Sequence, residues 1–354
     1  MGGKRTRRTV AAMLALAWIA AGCGGGVVGD RAVTITLLTH DSFDVSASVL
    51  QEFERNSGID VELLLAGDAG QLVNRAILSA GNPEGDVLFG IDNNLLATAL
   101  EQDVFVPYAS PRLGVVDDLY ELDPEHRVTP VDHGEVCVNF ETAYFAWPST
   151  ARPPETLEDL ASPAFRDLLV VENPATSTPG LAFLLATIAE FGEPGWEGYW
   201  RRLRANGVTV VDGWESAYFG EFSGAGGGEG TRPLVVSYAT SPVAEVVLAE
   251  QPPATAPTGV VEASCFRQIE FAGILRGTEH VAEARALVDF LLSRSFQEDI
   301  PLRMFVYPAA DDAELPEAFI EHAVVPEAPL ELSADEIARG RAAWVERWTD
   351  IVLR

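Results

Sequence analysis

Apolar and polar positions follow a repeating order over the first part of the chain. Apolar runs alternate with stretches of helical period, which predict strands at residues 33–39, 60–66 and 86–91 and helices at 45–56, 71–80 and 94–100. Strand and helix in turn are typical of right-handed βαβ units and a parallel sheet. The loops that leave the carboxyl ends of such strands face a ligand crevice. Those loops are polar and acidic here and hold His40, Asp41, Ser42, Asp68, Asp92 and Asn93.

A second α/β set follows the first. The same patterns predict strands at 168–172 and 234–238 and helices at 179–190 and 242–249. Extended segments at 131–140 and 265–275 lie at the joins between the two sets. Further helices are predicted at 280–292 and from about Ser333, because Ser333 and Glu336 fit a capping box. A chain of 354 residues is longer than a single hydrophobic core usually supports, so two lobes are expected.

The N-terminus carries a predicted export signal. A basic segment precedes an apolar run at 9–21 that is too short to span a bilayer. Small residues end at Cys23, which resembles a bacterial lipobox. We therefore predict a signal peptide at 1–22, a lipidated Cys23 and a flexible Gly-rich tether at 23–32, which would anchor the protein to the cell membrane on its extracytoplasmic face. An ordinary signal peptide with an incidental cysteine stays open, as does the choice between the Sec and twin-arginine export routes.

The net charge of the chain argues against polyanionic partners. Asp and Glu total 53 against 24 Lys and Arg, which gives a net charge of −29. A chain this acidic repels nucleic acid and anionic lipid, and it favours cationic ligands only diffusely.

Two cysteines remain if Cys23 carries lipid. Cys137 and Cys265 are then the two cysteines left to pair in an exported protein, and disulfides persist outside the cell. Two buried free thiols are the alternative. The five histidines are scattered and no Cys and His spacing resembles a zinc site, so no metal is predicted.

Six sequence blocks carry a specific resemblance. They read THDSF at 39–43, GIDNNLL at 90–96, TSTPGL at 176–181, GWESAY at 213–218, SYATSP at 237–242, and IP at 300–301 with YP at 307–308. In this order and spacing, over about residues 33–350, the chain resembles the periplasmic thiamine-binding proteins. The resemblance implies a monomer that captures thiamine, thiamine monophosphate or thiamine diphosphate and delivers it to an ABC importer permease and ATPase. It implies neither enzyme activity nor a cofactor.

The resemblance also implies a fold. It is the two-lobed type II periplasmic-binding-protein fold of the α/β class, in which each lobe is a mostly parallel sheet flanked by helices. The predicted parts are lobe 1 at 33–135 with 268–310, lobe 2 at 136–267, and a C-terminal helical segment at 311–354 that packs on the lobes. In such folds two crossover segments run side by side at the hinge, so a disulfide between Cys137 and Cys265 is predicted.

Thiamine carries a cationic thiazolium ring, an aminopyrimidine and a hydroxyethyl arm that can be phosphorylated. Aromatic faces attract such a cation, and the candidates are Trp214, Tyr218, Tyr238, Phe305 and Tyr307. Carboxylates at loop tips pair the positive ring or accept from the amino group, and the candidates are Asp41, Asp68 and Asp92. Ser177 and Thr178, at a helix start, are a candidate phosphate seat. His40, Ser42, Asn93 and Ser241 complete the predicted ligand-binding set.

Each candidate also has a purely structural explanation. The aspartates fit helix caps. The aromatic rings fit a core, and Tyr218 fits the same helix face as Trp214. His40 stands where many members of the resembled family carry Tyr, and Phe305 where they commonly carry Trp, so ring stacking at these two positions stays open.

Two other functions stay open. The same fold could bind a polyamine, a ferric ion or a phosphonate. Polyamine sites also combine acids with aromatics, whereas ferric sites of this class use an adjacent tyrosine pair that the sequence lacks. The other possibility is an exported hydrolase, for which the sequence offers no Gly-x-Ser-x-Gly elbow and no evident Ser, His and Asp set.

Overall fold

Ten strands form in the part of the chain that the computed structural model describes, residues 33–146, 152–226 and 230–354. They are β1 Val33–Thr39, β2 Ile59–Leu65, β3 Val87–Asp92, β4 Phe105–Val106, β5 Thr129–Glu141, β6 Leu169–Glu172, β7 Thr209–Val211, β8 Leu234–Tyr238, β9 Thr258–Leu275 and β10 Tyr307–Pro308. The predicted signal peptide, the lipidated Cys23 and the tether lie outside the described residues.

Twelve α-helices accompany the strands within the same residues. They are α1 Ala47–Ser57, α2 Ala69–Leu78, α3 Asn93–Glu101, α4 Thr142–Phe145, α5 Leu157–Leu160, α6 Thr178–Ala205, α7 Ser241–Val247, α8 Val281–Leu291, α9 Arg294–Gln297, α10 Ile300–Arg303, α11 Glu317–His322 and α12 Ala334–Val352. Short 3₁₀ turns occur at Leu113–Val115, Asp118–Tyr120 and Pro163–Phe165, and a π-helical turn at Ser216–Glu221. Across the described ranges, no helix combines the length and the apolar character that crossing a membrane requires.

The strands join in one mixed sheet of the order β2-β1-β3-β9-β5-β8-β6-β7, with β10 paired to β5 and β4 to β9. β2, β1 and β3 are parallel to one another and form the first parallel group. β8, β6 and β7 form the second parallel group. Between the groups lie β9 and β5, antiparallel to each other and to their outer neighbours. The predicted α/β fold, with parallel strands in each half, is confirmed, whereas the exact lobe boundaries stay a prediction.

Two buried clusters lie on opposite faces of the first parallel group. Leu38 and Leu88 belong to one cluster, and their neighbours Leu37 and Phe89 belong to the other. This division arises because successive side chains of a strand point to opposite faces of the sheet. The first cluster extends to residues of α6 and α12, and the second to residues of α1 and α8. β3 is buried on both faces, which explains its continuous apolar run.

The C-terminal helix contacts both halves of the fold. Trp348 of α12 packs edge-to-face on Trp200 of α6, with ring centroids 5.4 Å apart. Arg341 of α12 donates to the hydroxyl of Thr98 in α3 at 2.9 Å. The predicted capping box at Ser333 is confirmed, because the Ser333 hydroxyl and the Glu336 carboxylate each accept from the other residue's backbone amide.

Two predicted elements differ in extent from the structure. The helix predicted at 179–190 is the first part of α6, which resumes after a non-helical break at Gly192, Glu193 and Pro194 and runs on to Ala205. The second part was missed because a glycine and a proline are ordinarily signals that end a helix. β9 begins at Thr258, earlier than the predicted 265, because it pairs with the full length of β5.

A disulfide joins the two central strands. The Sγ atoms of Cys137 in β5 and Cys265 in β9 are 2.04 Å apart, which is the pairing that the resemblance implies. The regular register between these strands is interrupted at this point, between Val136 and Val138. Both cysteines are fully buried.

Candidate ligand-binding site

A cavity of about 480 Å³ lies where the two parallel groups face each other. This volume is within the range of small-molecule sites. The predicted ligand-binding residues that line it are His40, Asp41, Ser42, Asp68, Thr178, Trp214, Tyr218, Tyr238, Ser241 and Phe305. They come from the loop after β1, the starts of α2 and α6, the turn before β8, the end of β8 with α7, and the segment before β10. Residues that are distant in sequence therefore line the same cavity.

Aromatic rings form one side of the cavity. The rings of Trp214 and Tyr218 stack with centroids 5.1 Å apart and an interplanar angle of 20°. Trp214 is partly exposed, whereas Tyr218 is buried behind it and donates from its hydroxyl to Glu245 at 2.8 Å. Tyr238 also lines the cavity, at the end of β8. Such faces attract cations and planar rings.

Two serines hold these rings in place. The indole Nε1 of Trp214 donates to the hydroxyl of Ser237 at 2.9 Å. The Ser237 and Ser241 hydroxyls are 2.8 Å apart, and the amide of Tyr238 donates to Ser241 at 3.1 Å. One hydrogen-bonded chain thus fixes Trp214 relative to the backbone of Tyr238.

Asp68 links the two parallel groups. It occupies the N-cap position of α2, yet its carboxylate makes no capping bond to that helix. Its two oxygens instead accept from the backbone amides of Thr178 and Trp214, each at 3.2 Å. Burial raises the pKa of Asp68 above its ordinary value, and the two amides oppose this rise. The helix start that the sequence offers as a phosphate seat is therefore already in contact with a carboxylate.

His40 and Glu270 form a second polar contact at the cavity wall. The Nε2 of His40 lies 3.5 Å from Oε2 of Glu270. Burial acts to lower the pKa of His40, but the carboxylates of Glu270, Asp68 and Asp41 together outweigh it, and the pKa is raised overall. Gly90 of β3 has a φ of +101°, and a Cβ there would collide with the His40 ring, so the close approach of this ring requires glycine.

Three acidic residues lie side by side across the central strands. Glu270 of β9 is the register partner of Asp92 in β3 and of Asp132 in β5. Burial, followed by the charge of Glu270, raises the pKa of Asp92 to about 7. The same two causes raise the pKa of Asp132 well above its ordinary value, and neither Asp132 oxygen has a hydrogen-bond partner within the described residues. The cavity lining at Glu270 thus adjoins two carboxyl groups whose raised pKa values favour the protonated form more than in an exposed carboxyl group.

Phe305 enters the cavity from a strained backbone. Its φ of +55° lies in the left-handed region that is unfavourable for a bulky residue. Its carbonyl oxygen accepts from the hydroxyl of Thr240 at 2.5 Å. Strain of this kind persists where surrounding contacts enforce it, and it is common at binding sites.

Four predicted ligand-binding residues lie outside the cavity lining. Asp92 caps α3, accepting from the amides of Asn94 and Leu95. Asn93 is committed to β9, because its side-chain oxygen accepts from the amide of Ile269 at 2.9 Å. The side chain of Ser177 is buried at the start of α6. The ring of Tyr307 stacks on His133, with centroids 5.4 Å apart, instead of facing the cavity.

Comparison with known proteins bears on this site. A family profile described as bacterial extracellular solute-binding protein matches residues 82–325. The chain belongs to the bacterial extracellular solute-binding proteins.

Several named proteins resemble the chain over most of its length. A thiamine-binding periplasmic protein of Salmonella typhimurium is 30% identical over 328 residues, which cover 90% of this chain and 94% of that protein. A solved structure of a periplasmic thiamin binding protein superposes with a TM-score of 0.79 at 27% identity, covering 91% of this chain and 96% of the other. The predicted resemblance is thus confirmed. A ferric binding protein from Campylobacter jejuni superposes with a TM-score of 0.70 over 90% of this chain and 99% of its own, and at 16% identity it shares the fold alone.

The solute-binding protein also has cavity residues that the sequence did not single out. The polar ones are Asp44, Glu215, Glu245, Glu270 and Arg303. Glu245 lies one helical turn beyond Ser241 on α7, so the spacing of i and i+4 could have indicated it. Glu270 could be found only from the strand register, because its neighbours Ile269 and Phe271 read as core.

Proposed function

We propose that this protein captures thiamine or a thiamine phosphate in the cavity and delivers it to an ABC importer. The observation that carries the proposal is the meeting of Trp214 and Tyr238 with the carboxylates of Asp68 and Glu270 around one cavity. A cationic ring flanked by aromatic faces and carboxylates matches thiazolium, since both kinds of group attract the same positive charge. The thiamine-binding proteins that the chain resembles support thiamine as the ligand.

Export and anchoring belong to the same proposal. The relatives are named as periplasmic proteins, which supports a place outside the cytoplasm. Lipid attachment at Cys23 and hand-over to a permease and ATPase rest on the sequence pattern at 1–23 and on the family. We expect the protein to act as a monomeric binder without catalysis.

Titration calorimetry on the purified full chain tests the ligand. We expect thiamine or one of its phosphates to bind with micromolar affinity or tighter, about −8 kcal/mol or better. Spermidine and ferric ion, titrated into the same sample, are the comparison ligands. Clear binding of spermidine or ferric ion, with no heat from any thiamine form, would overturn the proposal.

A further inference from the structure

The charge of the cavity lining is one-sided. Within the described residues it contains six carboxyl side chains, namely Asp41, Asp44, Asp68, Glu215, Glu245 and Glu270. Only His40 and Arg303 of this lining can carry positive charge. Both are already engaged, because His40 faces Glu270 and Arg303 pairs with Asp44. An anionic group that enters the described lining therefore meets carboxylates and cations that are already paired.

The amides that suit a phosphate are also occupied. A helix N-terminus binds an anion through its free backbone N–H groups. At the start of α6 the amide of Thr178 already donates to Asp68, and the second Asp68 oxygen accepts from the amide of Trp214. A phosphate at this position would displace the Asp68 carboxylate or lie against it.

Glu245 is a buried carboxyl group in the cavity lining. It is only 8% exposed, and it accepts from the hydroxyl of Tyr218 at 2.8 Å and from the amide of Gly226 at 2.6 Å. Burial raises the pKa of Glu245, whereas these two donors oppose the rise and favour the charged carboxylate. Because Tyr218 in turn stacks on Trp214, this carboxylate is held directly behind the aromatic wall.

We propose that the cavity selects unphosphorylated thiamine over its phosphate esters, with Glu245 as a specificity-determining residue. This inference rests on the proposed function and narrows its ligand. A phosphate monoester adds about −1.5 to −2 charge at neutral pH, so already the monophosphate turns a cationic ligand into an anionic one. Like charges brought together in a desolvated site disfavour binding, whereas the free vitamin keeps only its favourable positive charge.

Calorimetry with thiamine and thiamine diphosphate on the full chain tests the preference. At low ionic strength we expect the Kd of the diphosphate to exceed that of thiamine by about tenfold or more. Glu245→Gln, which keeps the size of the side chain, is expected to reduce this ratio by about threefold or more. Glu215→Gln, at an exposed residue of the same wall, gives a second variant that leaves the core untouched.

Glu250→Gln is the matched control, because Glu250 is exposed and lies outside the cavity lining but carries the same charge. Equal or tighter binding of the diphosphate by the unmodified protein would overturn the preference alone. A ratio that changes no more in Glu245→Gln than in Glu250→Gln would overturn the role of Glu245. Binding of neither form would overturn the proposed function together with the preference.

Discussion

The carboxylate of Asp68, at the start of α2, accepts from the amide of Thr178, at the start of α6, at 3.2 Å. The start of a helix that follows a strand of the first parallel group is thus hydrogen-bonded directly to the start of a helix that follows a strand of the second. Gly70 makes the approach possible, since a Cβ at this position would lie 2.6 Å from the carbonyl oxygen of Thr176. Contact between the groups at this point is therefore built from backbone and a single acidic side chain.

Asp68→Ala is expected to weaken thiamine binding and to lower the melting temperature. The substitution leaves the amides of Thr178 and Trp214 without their partner, a loss of about 1–3 kcal/mol. Calorimetry and thermal unfolding measure the two effects. Asp60→Ala, at an exposed position of β2, is the control. Behaviour identical to this control would show that the Asp68 contacts contribute nothing.

Trp214→Ala or Tyr238→Ala should weaken thiamine binding by about 1–3 kcal/mol, because each removes an aromatic face from the cation. Tyr238→Phe is the matched control. It keeps the ring and loses only a hydroxyl whose contact to Gln268 is long, at 3.4 Å. Affinity unchanged in both alanine variants would mean that these rings serve the fold alone.

The stability of the protein should depend on the protonation of Asp92. Burial and the charge of Glu270 raise its pKa from 3.8 to about 7, so the folded state holds a proton that the unfolded chain releases above about pH 4. The contribution of Asp92 is then complete below about pH 4 and is lost as pH rises toward 7. Urea unfolding from pH 5 to 7 measures it.

In the same experiment, Asp92→Asn should remove up to about 1.4 kcal/mol per pH unit from the slope of unfolding free energy against pH. Asp60→Asn provides the comparison at an exposed site. A slope that Asp92→Asn leaves at the original value would exclude a raised pKa for this group.

Reduction of the disulfide between Cys137 and Cys265 should destabilise the protein by about 4–5 kcal/mol, less any strain. The bond closes a loop with a sequence separation of 128, which restricts the unfolded chain. Denaturant unfolding with and without reductant measures the loss, in a Cys23→Ser background that removes the third thiol. Two reactive thiols in the unfolded, unreduced chain would disprove the bond.

Cys23→Ser should release the protein from the membrane fraction, because we predict lipid attachment at this residue alone. Fractionation of cells that express the two forms is the measurement. Persistence of the variant in the membrane fraction would show that the lipobox prediction is wrong.

Periodicity was sufficient to predict most of the parallel strands and helices, because β3 and β8 are buried along nearly their whole length and their apolar runs have clear ends. It could not predict the order of strands at the centre. That order depends on β5 and β9, whose pairing brings together residues far apart in the chain.

The cavity lining was predictable where a side chain follows a predicted strand or begins a predicted helix, as with His40 and Thr178, whereas only the family resemblance indicated Trp214 as a ligand-binding ring. Spacing cannot distinguish a capping aspartate from one that reaches across to another helix. Asp92 caps α3, whereas Asp68, in the same local position, bonds to the other parallel group. Register decides Glu270, and no local pattern reports register between distant strands.

The bond between Cys137 and Cys265 closes a covalent ring that contains the second parallel group. The strands β6, β7 and β8 and the helices α6 and α7 all lie between the two cysteines. A protease that cuts the backbone once anywhere in this ring leaves every residue attached to the same molecule. Such a nicked protein would migrate as one species on a non-reducing gel and separate into two fragments only after reduction. Under oxidising conditions, a single cut in this half would therefore leave the molecular mass of the covalent molecule almost unchanged.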